Sequence, residues 1–467
     1  MPVNNTALDA VSPYKIIWKL SWPQMLTMFF HFWIGFVDVY VAGMLDRDVQ
    51  ASLGLIAQSL FFFLILAIAV ANGSVAAISQ SQGAGLHKRV RRYVGLCLEM
   101  AVCFGALILC AGFLLKDFFL DLIQVPPELT GITVYFLEVY LLVLPAYYLL
   151  VVTNAVFRAR KKVFPPLYAM IIITVANTLG DFGLGLGLWG LPALGYKGLA
   201  WTTFFAVFLG AAFNLMVLRR ERLIQKESFP PWRWIRRAAP YLFKVAWPSG
   251  MMQLLWQTGY LVLFAITASL PHGNITALAG MAAGVRIESL LFLPAFALNM
   301  TAGILVGNFL GEGKPGEAKR FGYRIWRIGL IFICVATIGV WLGVTPVAAL
   351  LSPDPAVRLE IVNYLFYNLL AMPFTLTAMV FGGVFVGAGA TIYNMGIFGA
   401  AVWCVRLPLA YILGHRVFGT ATGVWAAMFV SMAVQAMVML YFYSAKDWAR
   451  FSMVKRNRVP APAGPAI

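Results

Sequence analysis

Asn177 and Asp181 stand one helical turn apart in a long apolar run from Met170 to Gly190, ahead of a Gly-Leu-Gly-Leu-Gly series. An i, i+4 spacing puts the amide and the carboxyl on one face of a helix. If the run crosses a bilayer, a carboxylate at mid-depth costs about 2.5 to 3.5 kcal/mol on insertion scales, so it needs a partner, a cavity or an ion. Two chemistries meet that need: the carboxyl bonds the amide and locks two helices together, or the pair holds a proton or a cation. Asp38, in the first apolar run, raises the same question. Two carboxylates at similar depth can share one proton or jointly coordinate sodium with amide and hydroxyl oxygens.

Other polar residues in apolar surroundings have two readings each. His31 lies seven residues before Asp38, two turns along roughly the same face, where an imidazole relays protons or simply packs. Arg286 and Glu288 are two residues apart and cannot share a face, so they bond separate helices or serve a gate. Arg406, just before Pro408, either braces helices or, as a positive charge, balances a bound acid or repels a cation. Glu99 and Glu138 lie near the ends of their runs, where interface pairing or snorkelling is expected.

The elements that must position these residues are membrane helices. The 467 residues are 61% hydrophobic and only 11% charged, too few charges to coat a soluble body of this size. Mean hydropathy is +0.83. Apolar runs of helical length fall near 15–44, 51–81, 93–115, 132–157, 163–189 and 195–218, and again near 245–270, 277–310, 321–350, 359–386, 391–414 and 419–444. Strand-like alternation is not the rule, which excludes a barrel. A polar lead precedes the first run, which is too long for a cleavable signal, and a Pro/Ala-rich tail follows the last.

A net charge of +17 does not point to nucleic acid, because the basic residues cluster between runs. All but seven of the 35 lysines and arginines fall in the lead, in alternate connectors and in the tail. The positive-inside rule then places both termini and the 219–244 connector in the cytoplasm. The five cysteines have neither metal-ligand spacing nor paired loops and read as packing residues. The glycine clusters at Gly83 and Gly311 lack a phosphate-loop Gly-Lys-Ser/Thr and read as tight helix-end turns. Four histidines in unlike places supply no catalytic constellation, so no enzyme is expected.

The halves repeat. Ser21-Trp22-Pro23 recurs as Ala246-Trp247-Pro248, Gly83-Ala84-Gly85 as Gly311-Glu312-Gly313, and Gly198-Leu199-Ala200-Trp201 as Gly423-Val424-Trp425-Ala426. Six runs per half give the halves the same orientation, a parallel repeat about an axis along the membrane normal. The expected division is 1–218 for the first lobe, 219–244 for a cytoplasmic connector, 245–445 for the second lobe and 446–467 for a cytoplasmic tail.

Phe36-Val37-Asp38, Asn177-Thr178-Leu179-Gly180-Asp181, Arg286-Ile287-Glu288-Ser289 with Pro294, and Val306-Gly307-Asn308 leading to Gly311-Glu312-Gly313-Lys314-Pro315 together resemble the multidrug and toxic compound extrusion family. Within the wider multidrug, oligosaccharidyl-lipid and polysaccharide flippase superfamily, the acids resemble the branch named after a DNA-damage-inducible member. The resemblance spans about residues 15 to 445. It implies an all-α protein with twelve transmembrane helices, two six-helix lobes forming a V around a central cavity, and antiport of small organic compounds, chiefly cationic or amphipathic. It also implies a coupling site of Asp38, Asn177, Asp181 and Thr202, taking a proton first and sodium second; with sodium these four are the metal ligands. No cofactor is implied, and the partners are a small-molecule substrate and the lipid bilayer around a monomer in the cytoplasmic (inner) membrane. Another branch places acids in the seventh and tenth helices, but Gln253-Leu254-Leu255-Trp256-Gln257 and Phe374-Thr375-Leu376-Thr377 carry none. The rival reading in the same superfamily is a flippase for lipids or lipid-linked sugars, which calls for a cationic cavity.

Overall fold

The computed structural model describes residues 12–453. Most of the polar lead and the Pro/Ala-rich tail beyond 453 lie outside the described residues. Backbone N–H and C=O groups find no water in lipid, so each apolar run satisfies them internally as a helix. Twelve helices are long and apolar enough to cross a membrane: α1 (Pro13–Leu45), α2 (Arg47–Gly83), α3 (His87–Leu114), α4 (Pro127–Ala159), α5 (Phe164–Gly185), α6 (Tyr196–Arg220), α7 (Trp232–Ala268), α8 (Asn274–Gly311), α9 (Pro315–Leu342), α10 (Pro355–Ala388), α11 (Thr391–Val417) and α12 (Ala421–Ala445). Local chemistry fixes several ends. Asp46 and Asp354 accept from the backbone N–H two residues on and cap α2 and α10. Proline opens α9 and α10, where a missing N–H costs nothing.

Two expectations shift in detail. The ninth run breaks at Gly343, beyond which Val344–Leu351 forms a separate short helix. The 219–244 connector is half helical, because α7 begins at Trp232, one residue after the paired prolines. The start of the tail packs tightly: Trp448 is buried and stacks on Tyr443. Glu138 bonds Lys116 Nζ at 2.6 Å, which is pairing near a span end.

The helices make two six-helix lobes in a V. α2 packs on α4 inside the first lobe and α8 on α10 inside the second. The V closes at the end that carries the basic loops. There the lobes meet through bare backbone: a Cβ on Gly83 would lie 2.0 Å from the Asn308 carbonyl oxygen, and one on Gly311 would lie 2.1 Å from that of Gln80. Polar contacts reinforce the seam. Thr301 in α8 bonds Ser21 at 3.0 Å and accepts from Gln24 at 2.9 Å, both in α1. Asn308 donates across the seam to the Ala159 carbonyl at 3.2 Å.

At the same end, Glu221 accepts from Lys162 at 2.5 Å and from Arg160, tying the α4–α5 turn to the end of α6. Burial would raise its carboxyl, but hydrogen bonds and charge from Lys162 and Arg160 outweigh that and hold it below its ordinary value. A depressed folded value means the stabilisation is present above the unfolded value of about 4.3 and is lost as pH falls through the folded one. Glu221→Gln will cost about 1 kcal/mol at neutral pH. Thermal unfolding in detergent will show a lower midpoint for the variant at pH 7, and the gap will close as the pH drops below 4.

Candidate functional site

α5 delivers Asn177 and Asp181, as their spacing requires, and at Asp181 its ladder widens into an i→i+5 turn over Asp181–Gly185. Such widened turns recur at functional sites because they re-aim side chains within a continuous helix. Asn177 and Asp181 are fully buried. α1 brings Asp38 to them, with its carboxyl within side-chain reach of both Asp181 and Asn177.

The polar accounting is unusual. Asp38 Oδ1, both Asp181 carboxyl oxygens, Asn177 Oδ1 and the Thr178 and Thr202 hydroxyls are buried without a hydrogen-bond partner. Buried acceptors that lack donors are expensive, and two facing carboxyls repel when both are ionised. A proton between the carboxyls, or a small cation among the oxygens, relieves both penalties at once. No lysine or arginine is in a position to do so: the ion pairs among the described residues include neither acid.

The site borders a cavity of about 280 Å³ inside the first lobe, walled by α1, α2, α4, α5 and α6. Asp38 and Asn177 line it, with His31 farther along α1. Tyr140 and Tyr147 of α4 also face it, close to the acids, with Thr203 of α6 beside Tyr140. The composition gave no signal for these tyrosines, which look like any other aromatics of an apolar run. Arg158 of α4 lies close enough to His31 for their charges to interact, which makes it a second neighbour that sequence reasoning did not find.

Thr202, the expected hydroxyl, and its neighbour Thr203 both approach α5. Thr202 packs against Gly180, where an added Cβ would come 2.4 Å from its methyl, so α5 and α6 cross closely here. Thr203 lines the cavity and accepts from Asn177 at 3.5 Å.

The remaining candidates lie elsewhere. Arg286 is exposed on α8 and separate from Glu288. Glu288 is buried in the second lobe and accepts from Tyr364 at 2.7 Å. Arg406, also buried, donates to Ser431 at 2.9 Å and lies near Glu288, Tyr260 and Tyr364. The first and third sequence matches between the halves are 225 positions apart, and so are Asp181 and Arg406; each sits in a widened turn, in α5 and in α11. Where the first lobe has an acid, the second has a base.

Twelve membrane-crossing helices in two like lobes, with buried acids beside a cavity, define a membrane transporter. The MatE family model matches residues 23–182 and 248–412, well over half the chain, and the protein belongs to that family, whose members are transporters and not enzymes. Among curated relatives, the chain is 24% identical to a probable multidrug resistance protein NorM of Thermotoga maritima over 453 residues, 95% of each chain. It is 25% identical to the multidrug resistance protein PmpM of Pseudomonas aeruginosa, covering 94% of this chain and 92% of that one. Its fold matches that of a MOP superfamily transporter from Pyrococcus furiosus with a TM-score of 0.87 at 19% identity, covering 95% and 98% of the two chains.

Proposed function

We propose that this transporter exports small organic compounds, chiefly cationic or amphipathic, from the cytoplasm, and that proton entry at Asp38 and Asp181 drives each cycle, with sodium as the second candidate. The observation that carries this reading is the pair of carboxyls in mutual reach with their buried oxygens unpartnered. Such a site is incomplete without a positive charge. When the charge is present, α1 and α5 are drawn together across the cavity wall; when it leaves, they repel. Ion and substrate are then linked because the ion's occupancy sets the shape of the wall the substrate touches. The residues that line the cavity include no lysine or arginine. That disfavours a pyrophosphate-bearing lipid cargo and suits an aromatic or aliphatic cation.

The basic loops face the cytoplasm in this reading, the membrane is the inner one, and the chain works as a monomer of lobes 1–218 and 245–445. The test is uptake of a fluorescent cation into everted vesicles under a pH gradient and, separately, a sodium gradient. A response to the pH gradient alone is expected. A response to sodium alone would reassign the ion, and no response to either would remove antiport from the reading.

A further inference from the structure

A second cavity, of about 240 Å³, lies away from the acids, on the outer surface where the two lobes meet. Trp18 and Met25 of α1, Pro294 and Leu298 of α8, and Ile328 and Phe332 of α9 wall it. α1 and α9 flank α8 and barely touch each other, so α8 forms the floor of a cleft between them. Tyr14, Trp18 and Met25 run along α1 for about 16 Å, which makes the cleft long and narrow. Of its hydroxyl-bearing wall residues, Ser21 is already bonded to Thr301 and Tyr14 stands exposed at the mouth. The interior therefore offers nothing to a polar ligand and suits a hydrocarbon chain.

The mouth has the opposite character. Tyr14 and Trp18 are 59% and 58% exposed, in the manner of aromatic anchors at a membrane interface. Lys15 and Lys19 adjoin them on α1, one turn apart. On α9, Arg324, Ile328 and Phe332 follow at i, i+4 and i+8, so Arg324 continues the cleft face one turn nearer the basic loops, its guanidinium 5.2 Å from the centre of the Phe321 ring, and Arg327 stands one turn along. Lys15, Lys19, Arg324 and Arg327 make no ion pair among the described residues. Four uncompensated cations at the mouth of a dry cleft repel an organic cation and attract an anionic headgroup.

We propose that this cleft binds an anionic phospholipid, with an acyl chain between α1 and α9 and the phosphate among Lys15, Lys19, Arg324 and Arg327. With the basic loops in the cytoplasm, as read above, the lipid comes from the cytoplasmic leaflet. Because α1 belongs to one lobe and α8 and α9 to the other, the lipid bridges the lobes near the end where the V is closed.

The experiment uses the full-length protein in nanodiscs of phosphatidylcholine, into which phosphatidylglycerol or phosphatidylcholine with brominated acyl chains is titrated. The Trp18 signal is the tryptophan fluorescence of the wild type minus that of Trp18→Phe. Brominated phosphatidylglycerol is expected to quench that signal saturably, at a mole fraction at least fivefold below that needed with brominated phosphatidylcholine. Arg324→Gln should erase the preference, as should the exposed pair Lys15→Gln/Lys19→Gln, which serves if Arg324→Gln does not fold. Ile328→Phe should reduce quenching by both lipids by filling the cleft. Equal quenching by the two brominated lipids, or a preference unchanged in Lys15→Gln/Lys19→Gln, would overturn the proposal.

Discussion

Asp38→Asn and Asp181→Asn will each lower gradient-driven efflux by on the order of 100-fold, the span of a coupling energy of a few kcal/mol. Both changes keep the side-chain shape and add a donor. In Asp181→Asn the new amide can bond the Asp38 carboxyl, so the site reaches the bonded state that a proton otherwise provides, and reaches it permanently. Binding of substrate will survive while its dependence on the gradient disappears. Measuring both quantities on one preparation, gradient-driven uptake into everted vesicles and equilibrium substrate binding, separates lost coupling from lost fold. Glu288→Gln is the control. Tyr364 already donates to Glu288, and Arg406 stands near as a built-in positive charge, so the second lobe needs no external ion and the variant will keep the gradient dependence of the wild type. Loss of coupling in Glu288→Gln with coupling retained in Asp181→Asn would transfer the site to the second lobe.

The number and approximate places of the membrane helices were legible because a lipid span leaves a long, nearly uncharged run, and few polar residues interrupt it. The acids were legible for the same reason: Asp38 and Asp181 stand out against their surroundings by cost. What surrounds them was not. Tyr140, Tyr147 and Thr203 are ordinary residues of membrane helices, and only the packing of α4 and α6 on α1 and α5 turns them toward the acids. The choice between Thr202 and Thr203 is a rotation of 100° about α6, decided by the close approach of Gly180. The relation of Asp181 to Arg406 was available from the offset of the repeat, yet their opposite charges hide it until each is seen in a widened turn, Asp181 at the start of its own and Arg406 at the end of its own. A repeat can preserve a position while reversing its electrostatics. Here that reversal leaves an acid in one lobe and a built-in positive charge in the other.

Closure of the V rests on Gln80, and Gln80→Leu will shift the lobes out of the conformation described here. Its side chain is fully buried in α2 and uses both ends across the seam. Nε2 donates to the Tyr241 hydroxyl of α7 at 3.0 Å and to the Gly387 carbonyl of α10 at 2.9 Å. Oε1 accepts from the Ser452 hydroxyl at 3.0 Å and from the Met453 N–H at 2.7 Å, so the start of the tail is held at the same point. The tail reaches there from α12, and Arg89 and Tyr93 of α3 both donate to the Met453 sulfur, at 3.1 and 3.3 Å. One amide thus connects the first lobe to two helices of the second and to the tail. Leucine has a similar volume and no polar atom, so the variant keeps the packing and strands the Gly387 carbonyl and the Met453 N–H in the closed seam. Each stranded group costs about 1 to 3 kcal/mol only while the seam excludes water. Opening the seam hydrates them, so the penalty falls on the closed state alone. A differential of about 3 kcal/mol moves a two-state equilibrium roughly 100-fold. Spin labels at Leu86→Cys and Gly316→Cys, both exposed at the basic-loop end, report the separation of the lobes once the five native cysteines are replaced. The wild type will give one short distance, and Gln80→Leu will add a longer one as the main population. An unchanged distance distribution would mean that the glycine contacts at Gly83 and Gly311 hold the seam without the amide.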